Sequence, residues 1–189
     1  MIKFDISKIV IGIAGCGGLG SNAAQNLVRL GFSNFVLVDF DIIEESNLNR
    51  QFYFKDQIGL IKSYTLKENL LKINPNLNIL THNLFLHEGN IKNIFESCNY
   101  IIEGFDTVQS KKMLIELLAN SKKIVAASGL GNGFDVENIT TKVISESLTI
   151  IGDFKSDISK GIMPQSPGVQ IAAAKQAAVI LRYVTEDLC

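Results

Sequence analysis

Three side chains in this 189-residue sequence have the charge and spacing to grip a polyphosphate: Arg50, Lys62 and Asp106. An arginine presents a planar fork to phosphate oxygens, and a lysine a compact point charge. Asp106 follows the apolar run Tyr100–Glu103 and is suited to anchor Mg2+ through its carboxylate or a bound water. Asp41, Asn47 and Gln51 stand in the same stretch as Arg50. Upstream lies a glycine-rich turn, Gly15-Cys16-Gly17-Gly18-Leu19-Gly20. Gly15 permits a tight bend off a strand. Gly17 and Gly18 lack Cβ atoms, so a phosphate can approach their backbone N–H groups, and Gly20 lets helix and strand pack closely. Asp39, nineteen residues beyond Gly20, is placed to accept hydrogen bonds from ribose hydroxyls. A dinucleotide gives its second half to nicotinamide and needs few cations here, whereas a triphosphate requires them. Each signal has a plainer use: a glycine turn that only packs, solvated charges at Arg50 and Lys62, a helix N-cap at Asp106. The packing reading leaves Asp39 without a purpose, and the N-cap and metal roles of Asp106 are compatible.

The elements that must position these groups alternate between strand and helix. Ile9–Ala14 is an apolar run leading into the turn. Leu19, Ala23, Leu27 and Leu30 then recur at helical spacing, with Gly31 at the C-cap. Phe35–Val38 is a second strand, which completes the first half of a Rossmann-like βαβ unit. Ile42–Leu60 carries neither period; such long connections are functional or disordered, and Phe52, Tyr53 and Phe54 argue against disorder. Lys62–Ile73 reads as a helix with Leu66, Leu70 and Ile73 on one face, stopped by Asn74-Pro75. Next come a strand Leu77–His82, a short helix Ile91–Cys98, a strand Tyr100–Glu103 and a turn Gly104–Thr107. A helix marked by Val108, Leu114, Ile115 and Leu118 precedes a strand Lys123–Ala127 and a loop Ser128–Gly133. Ile139–Ser145 and Leu148–Ile151 are closing strands, with antiparallel pairing as one arrangement. Gly152–Gly168, polar and carrying Pro164 and Pro167, reads as a loop. The last helix, Val169–Glu186, is expected to turn Ile171, Ala174, Ala178 and Leu181 inward. Met1–Lys8 reads as an extra strand edge or a frayed arm.

This pattern predicts an α/β fold: a Rossmann-like, mostly parallel sheet with helices on both faces, extended by antiparallel strands near the C-terminus. One domain, 1–189, accommodates it. Ligands of such sheets bind beyond the carboxyl ends of the strands, so Asp39, Asp41, Gly104–Thr107 and Ser128–Gly133 should converge on the nucleotide.

Composition narrows the classes further. A net charge of −1 argues against a general nucleic-acid or membrane-surface binder. No apolar run reaches the roughly 18 residues of a transmembrane helix, and no signal peptide is visible, because the first apolar run is also the first strand. Cys16, Cys98 and Cys189 are widely spaced and odd in number, which suits reduced cytoplasmic thiols and excludes a CxxC zinc knuckle. His82 and His87 lack a partner at ligand spacing, so exposed or capping roles are expected of them, and Asp153 and Asp157 read as solvated.

Several separated motifs then agree with one family. Asp39-Phe40-Asp41, Ser46-Asn47-Leu48-Asn49-Arg50-Gln51, and Gly59 with Lys62 resemble the ThiF/MoeB adenylyltransferases of the ubiquitin-activating-enzyme-like superfamily. The glycine run, Ile73-Asn74-Pro75, Asp106 and Met163-Pro164-Gln165-Ser166-Pro167-Gly168-Val169 fit the same pattern, over about Ile9 to Val184. The short-form thiamine-biosynthesis ThiF group, the sulfur-carrier-protein adenylyltransferases, is the most similar. The resemblance implies that MgATP activates the C-terminal glycine carboxylate of a small ubiquitin-fold sulfur carrier ending in Gly-Gly, giving an acyl-adenylate and pyrophosphate. It further implies that Asp39 holds the ribose, that Asn47, Arg50, Gln51 and Lys62 contact the phosphates, and that Asp106 serves the metal. Asp41 is left to orient Arg50 or the loop. No general base is needed, since the attacking carboxylate is already ionised at neutral pH. A cytoplasmic homodimer is the family expectation. Larger members carry paired CxxC zinc sites, which are missing here, so no zinc is expected. Only Lys3 and Lys8 precede the first strand, so a phosphate-binding arginine from a dimer partner is not expected from this segment. No cysteine lies between Ser145 and Gly168, so sulfur delivery falls to another protein. Readings left open are a different activated carboxylate (a molybdopterin carrier or a tRNA threonylcarbamoyl group), an NAD(P)-dependent oxidoreductase, and an adapter without turnover.

The cofactor choice is checked by thermal shift. MgATP at a hundred times its dissociation constant should stabilise the fold by about 2.7 kcal/mol. NAD(H) should not, and the reverse result would favour the oxidoreductase.

Overall fold

Period-two alternation decides which side of each strand meets which helices. The computed structural model describes residues 5–130, 135–156 and 164–188. In strand β2 (Asn34–Val38), Phe35 and Leu37 enter one core while Val36 and Val38 enter the other. β4 (Tyr100–Glu103) and β5 (Lys123–Ala127) divide likewise, with Ile102 and Val125 on the first side and Ile101 and Ile124 on the second. Strands buried on both faces therefore read as continuous apolar runs, as parallel strands do.

With β1 (Val10–Ala14), β3 (Asn78–His82), β6 (Thr140–Ser145) and β7 (Leu148–Gly152), the sheet has seven strands in the order β3-β2-β1-β4-β5-β7-β6. All pairings are parallel except β6 with β7, which are antiparallel. The Rossmann-like α/β prediction and its antiparallel extension are borne out. Helices α1 (Gly18–Arg29), α2 (Lys62–Leu71) and α5 (Ser166–Leu188) cover the first face, contributing Leu27, Leu66, Leu70 and Ile180. The opposite face is covered by α3 (Ile91–Ile94) and α4 (Val108–Leu118), through Ile91, Leu114 and Leu118. Each such buried side chain contributes about 1.5–3 kcal/mol. Because β1 lies between β2 and β4, the chain reverses direction across the sheet at β1/β4. The glycine turn leaves β1 at its carboxyl end, at this switch point, where open α/β sheets bind ligands.

Several local expectations are corrected. In α5, Ala174 and Ala178 are exposed, Ile171 and Leu181 are half-buried, and Ala172, Ala173, Gln176, Ala177, Ile180 and Tyr183 face inward. The helix is rotated because its small residues must meet α1, whose Gly20, Ala23 and Ala24 are buried against it. α3 is a single turn, Ile91–Ile94, and Val108 is 79% exposed at the start of α4. Ile42–Leu60 holds two single-turn 3-10 helices, Glu45–Asn47 and Lys55–Gln57. Its ends close by an Ile42–Ile61 bridge. Asp153 is no solvated bystander: it accepts the N–H groups of Lys155 and Ser156 and closes the turn after β7. Asp157, Lys3, Met163, Cys189 and Gly131–Gly133 lie outside the described residues. Asp5–Lys8 adds no strand to the sheet.

Gly20 is the tightest point of α1: a Cβ there would stand 1.8 Å from the Gly15 carbonyl oxygen. Gly20→Ala should therefore cost at least the roughly 1–3 kcal/mol of an overpacked core, read as a lower urea midpoint. An unchanged midpoint would refute this close approach.

Candidate active site

The glycine turn bends at Gly15, whose φ of +90° favours a residue without Cβ. Gly17 then caps α1, and Gly18 is its first helical residue. The first-turn N–H groups of a helix have no intrahelical acceptor, so they face whatever lies above the turn. Asp39 follows β2 and braces this turn: one carboxylate oxygen accepts the Cys16 N–H at 2.6 Å, the other the Asp41 N–H at 2.8 Å. Each oxygen retains further acceptor capacity for a ribose hydroxyl. Burial pushes the Asp39 carboxyl above its ordinary 3.8, opposed by those two N–H groups and by the charge of Lys62. The Cys16 thiol is pushed well up by burial and by Asp39, so it stays protonated and packs.

The long connection after Asp41 is stitched onto the turn. Asn22 of α1 donates to the Arg50 carbonyl at 2.8 Å, and the Phe52 N–H donates to Ser21 Oγ at 3.0 Å. Buried Tyr53 donates from its hydroxyl to the Cys16 carbonyl at 2.8 Å. Gln57 and Asn69 exchange amide hydrogen bonds of 2.7 and 3.0 Å, tying the connection to α2. As a result Arg50 crosses α1: its Cγ lies 3.7 Å from where a Gly18 Cβ would stand. Gln51 Nε2 lies 3.8 Å from the equivalent point on Gly17, and Gln51 Oε1 is buried without a partner. Val169 of α5 comes within 3.1 Å of the same point on Gly18, so the turn is covered from two sides.

The individual roles differ from the expectations in part. Asp41 does not orient Arg50; it holds Lys62, with Nζ 2.8 Å from Oδ2, and its carbonyl accepts the Lys62 N–H. The Arg50 guanidinium donates instead to the Ser46 carbonyl at 3.0 Å and Asn49 Oδ1 at 2.8 Å. Asn47 is buried, and its carboxamide closes its own loop by accepting the Glu44 N–H at 3.2 Å. Asp106 is exposed on the turn after β4 and is not the cap of α4: Thr107 accepts the Ser110 N–H. The turn itself packs on the glycine turn, since a Cβ on Gly104 would meet the Gly15 carbonyl oxygen at 2.9 Å. Thus Arg50, Gln51, Lys62, Asp39 and the Asp106 turn surround one glycine turn. His87 accepts the Gly89 N–H in a capping role, and His82 is half-buried with Nε2 unpaired. Among the described residues, no three His, Cys, Asp or Glu side chains could hold a metal together. Among the same residues, no helix is long and apolar enough to cross a membrane.

Sequence reasoning missed Glu103, Lys111, Asn22 and Tyr53. Glu103 was detectable as an acid ending an apolar strand; Asn22 and Tyr53 had no periodic signal. A cleft of about 510 Å³ at the opposite, amino-terminal ends of β4 and β5 is lined by Tyr100, Lys123 and Asp187. There Asp187 is paired with the Tyr100 hydroxyl and with Lys123, so its charge is already compensated.

The Asp39 environment predicts a pH effect. A ribose held by the Asp39 carboxylate, as the sequence leads one to expect, would lose that partner as pH falls through a value above 3.8. The linkage to folding has the opposite sign: the raised pKa favours the native state below 3.8, an advantage lost as pH rises through the folded value. Titrating ATP by calorimetry from about pH 7 to about pH 4 should reveal this acid limb in the native protein. Asp39→Asn should bind more weakly at neutral pH and lack the limb.

Comparison with known proteins agrees with the geometry. Over 132 residues the chain is 31% identical to the adenylyltransferase and sulfurtransferase UBA4 of Saccharomyces cerevisiae, and over 132 residues 37% identical to that of Eremothecium gossypii. These matches cover 69% of this chain, which spans about 30% of the length of the yeast relative and 29% of the other. The solved structure of E. coli tRNA N6-threonylcarbamoyladenosine dehydratase, TcdA, in complex with AMP shares the fold. Its TM-score is 0.85 at 22% identity, covering 95% of this chain and 87% of that one. E. coli MccB with AMPCPP and MccA is similar at a TM-score of 0.69 and 19% identity, covering 96% of this chain and 57% of that one. The family model described as the ThiF family matches residues 4–184, and the chain belongs to that family.

Proposed function

We propose that the chain adenylates a carboxylate with MgATP, releasing pyrophosphate. The substrate is the C-terminal glycine of a small ubiquitin-fold sulfur carrier of the thiamine-biosynthesis type, ending in Gly-Gly. The observation that carries this reading is the pairing of Arg50, laid across Gly18, with buried Lys62 beside the same glycine turn. Support comes from the relative named an adenylyltransferase and sulfurtransferase and from one named SUMO-activating enzyme subunit 2. The latter, from Dictyostelium discoideum, is 33% identical over 58% of this chain and 17% of its own length. A homodimer acting in the cytoplasm remains part of the proposal.

The residues present fit a nucleotide. The space above Gly17 is one that a Cβ would narrow, with only Gln51 Nε2 near it at 3.8 Å, and the orphaned Gln51 Oε1 calls for a donor such as a hydroxyl. Asp106 fits Mg2+, which is commonly held by one or two carboxylates together with substrate phosphates. When bound, the metal would supply positive charge to the triphosphate. Asp39 would orient the ribose, and the α1 N-terminus would receive phosphate oxygens. The physical problem is repulsion: two unit charges 4 Å apart repel by roughly 4 kcal/mol at an effective dielectric of 20. Arg50 offsets this with the part of its fork not engaged by Ser46 and Asn49, and Lys62 with N–H donors beyond the one held by Asp41. Attack of the ionised carboxylate on the α-phosphorus then forms the mixed anhydride and expels pyrophosphate, with no proton to remove.

A second reading, activation of a threonylcarbamoyl group on tRNA, has one observation in its favour: the fold covers 87% of TcdA. The net charge of −1 gives no overall attraction for RNA and weighs against it.

Arg50→Ala or Lys62→Ala removes a charge-assisted contact worth about 1.5–3 kcal/mol. Pyrophosphate exchange with a Gly-Gly-ended carrier should fall roughly ten- to hundredfold. Unchanged exchange in both variants would remove these residues from the mechanism, and exchange supported by tRNA but not by carrier would establish the second reading.

A further inference from the structure

Among the described residues, two charged side chains are buried, Lys62 and Glu103; Glu103 lies opposite Ala14, the last residue of β1 before the glycine turn. Lys62 belongs to the phosphate site already described. Glu103, fully buried at the carboxyl end of β4, does not face that site; its carboxylate gathers the elements around it. Oε1 accepts the Phe105 N–H at 2.7 Å, and Lys111 Nζ of α4 reaches both oxygens at 3.0 and 2.9 Å. Oε2 also accepts the Ala127 N–H at the end of β5, at 3.4 Å. Gln176 of α5 donates to the Glu103 carbonyl at 3.1 Å. The Gly104-Phe105-Asp106 turn is thereby tied to α4 at one end and pressed on Gly15 at the other.

A buried ion pair is a poor source of stability. Desolvating Glu103 offsets much of its attraction to the partly exposed Lys111, and well-packed apolar residues serve a core as well or better. What such a pair can supply is one defined geometry, and here it acts on the turn that bears Asp106. We propose that Glu103 and Lys111 are positioning residues that hold the Asp106 turn against the glycine turn, so that Asp106 meets the metal on the triphosphate without reorganisation. The inference rests on the metal role proposed for Asp106. Glu103 touches neither substrate nor metal and acts only through the turn.

The test separates the two ideas by measuring ATP affinity calorimetrically with Mg2+ and with chelator, alongside thermal melts. Asp106→Asn should remove most of the affinity that Mg2+ adds, about tenfold, while leaving metal-free ATP binding within about twofold. Lys111→Met, which releases the clamp from its half-exposed side, should reproduce that loss, and Lys111→Arg should restore most of it. The double variant Asp106→Asn/Lys111→Met should lose little more than either single one. If Asp106→Asn keeps the full Mg2+ increment, the metal reading fails and this inference with it. If Asp106→Asn loses the increment while Lys111→Met, folded by its melt, keeps it, the positioning role alone is overturned. Should Lys111→Met not fold, the native protein still decides: Phe105 amide exchange should slow when Mg2+ is added to the ATP complex, and an unchanged rate overturns the proposal.

Discussion

The carbonyl of Gly15 is the point on which the rest of the molecule closes. Gly20 and Gly104 approach it so nearly that a methyl group on either would collide, at 1.8 and 2.9 Å. Next to it the Cys16 N–H is held by Asp39, and the Cys16 carbonyl by Tyr53. One peptide step thus joins β1, α1, β2, the long connection and the turn after β4. No side chain could occupy this junction, because the backbones themselves fill it. Close backbone packing also sets the carboxyl end of β4 against the start of α1, whose first-turn N–H groups are of the kind that receive a phosphate.

Charge is distributed around that junction unequally. Glu103 is wholly buried and compensated by Lys111, whereas Asp106 two residues past Gly104 is exposed to solvent. Lys62 is buried and tethered to a half-exposed Asp41, so the cation is held in place while its partner can relax into water. Arg50 is anchored through its carbonyl and held by neighbouring loop oxygens. A side chain fixed before its ligand arrives loses less entropy on binding than a free surface lysine or arginine. This preorganisation is the structural basis for reading the connection as an anion site and not as a solvated loop.

Much of this was legible in the linear order of residues. The strands, α1 and α4 follow from two periods, and the glycine spacing with Asp39 identifies the switch point. Arg50, Gln51, Lys62 and the Asp106 turn come together as expected around the glycine turn. The rotation of α5 was not legible, because alanine is ambivalent: Ala174 and Ala178 are chemically identical to Ala173 and Ala177, and only contact with α1 distinguishes them. Nor was the partner of Asp41 legible. Arg50 and Lys62 are both plausible cations nine and twenty-one residues away, and the choice depends on how the connection folds back at the Ile42–Ile61 bridge.

Local spacing therefore determined what repeats or what only one residue type can do: apolar periods, the left-handed bend at Gly15, the acid after β2. The ThiF family match over residues 4–184 accords with motifs of that kind. Tertiary structure decided which polar groups meet, as with Glu103 and Lys111, Gln57 and Asn69, or Tyr53 and the Cys16 carbonyl. The reason is physical. Hydrophobic burial is non-directional and leaves a periodic trace in the chain. A hydrogen bond between distant groups depends on sub-ångström placement that exists only once the sheet and helices have packed.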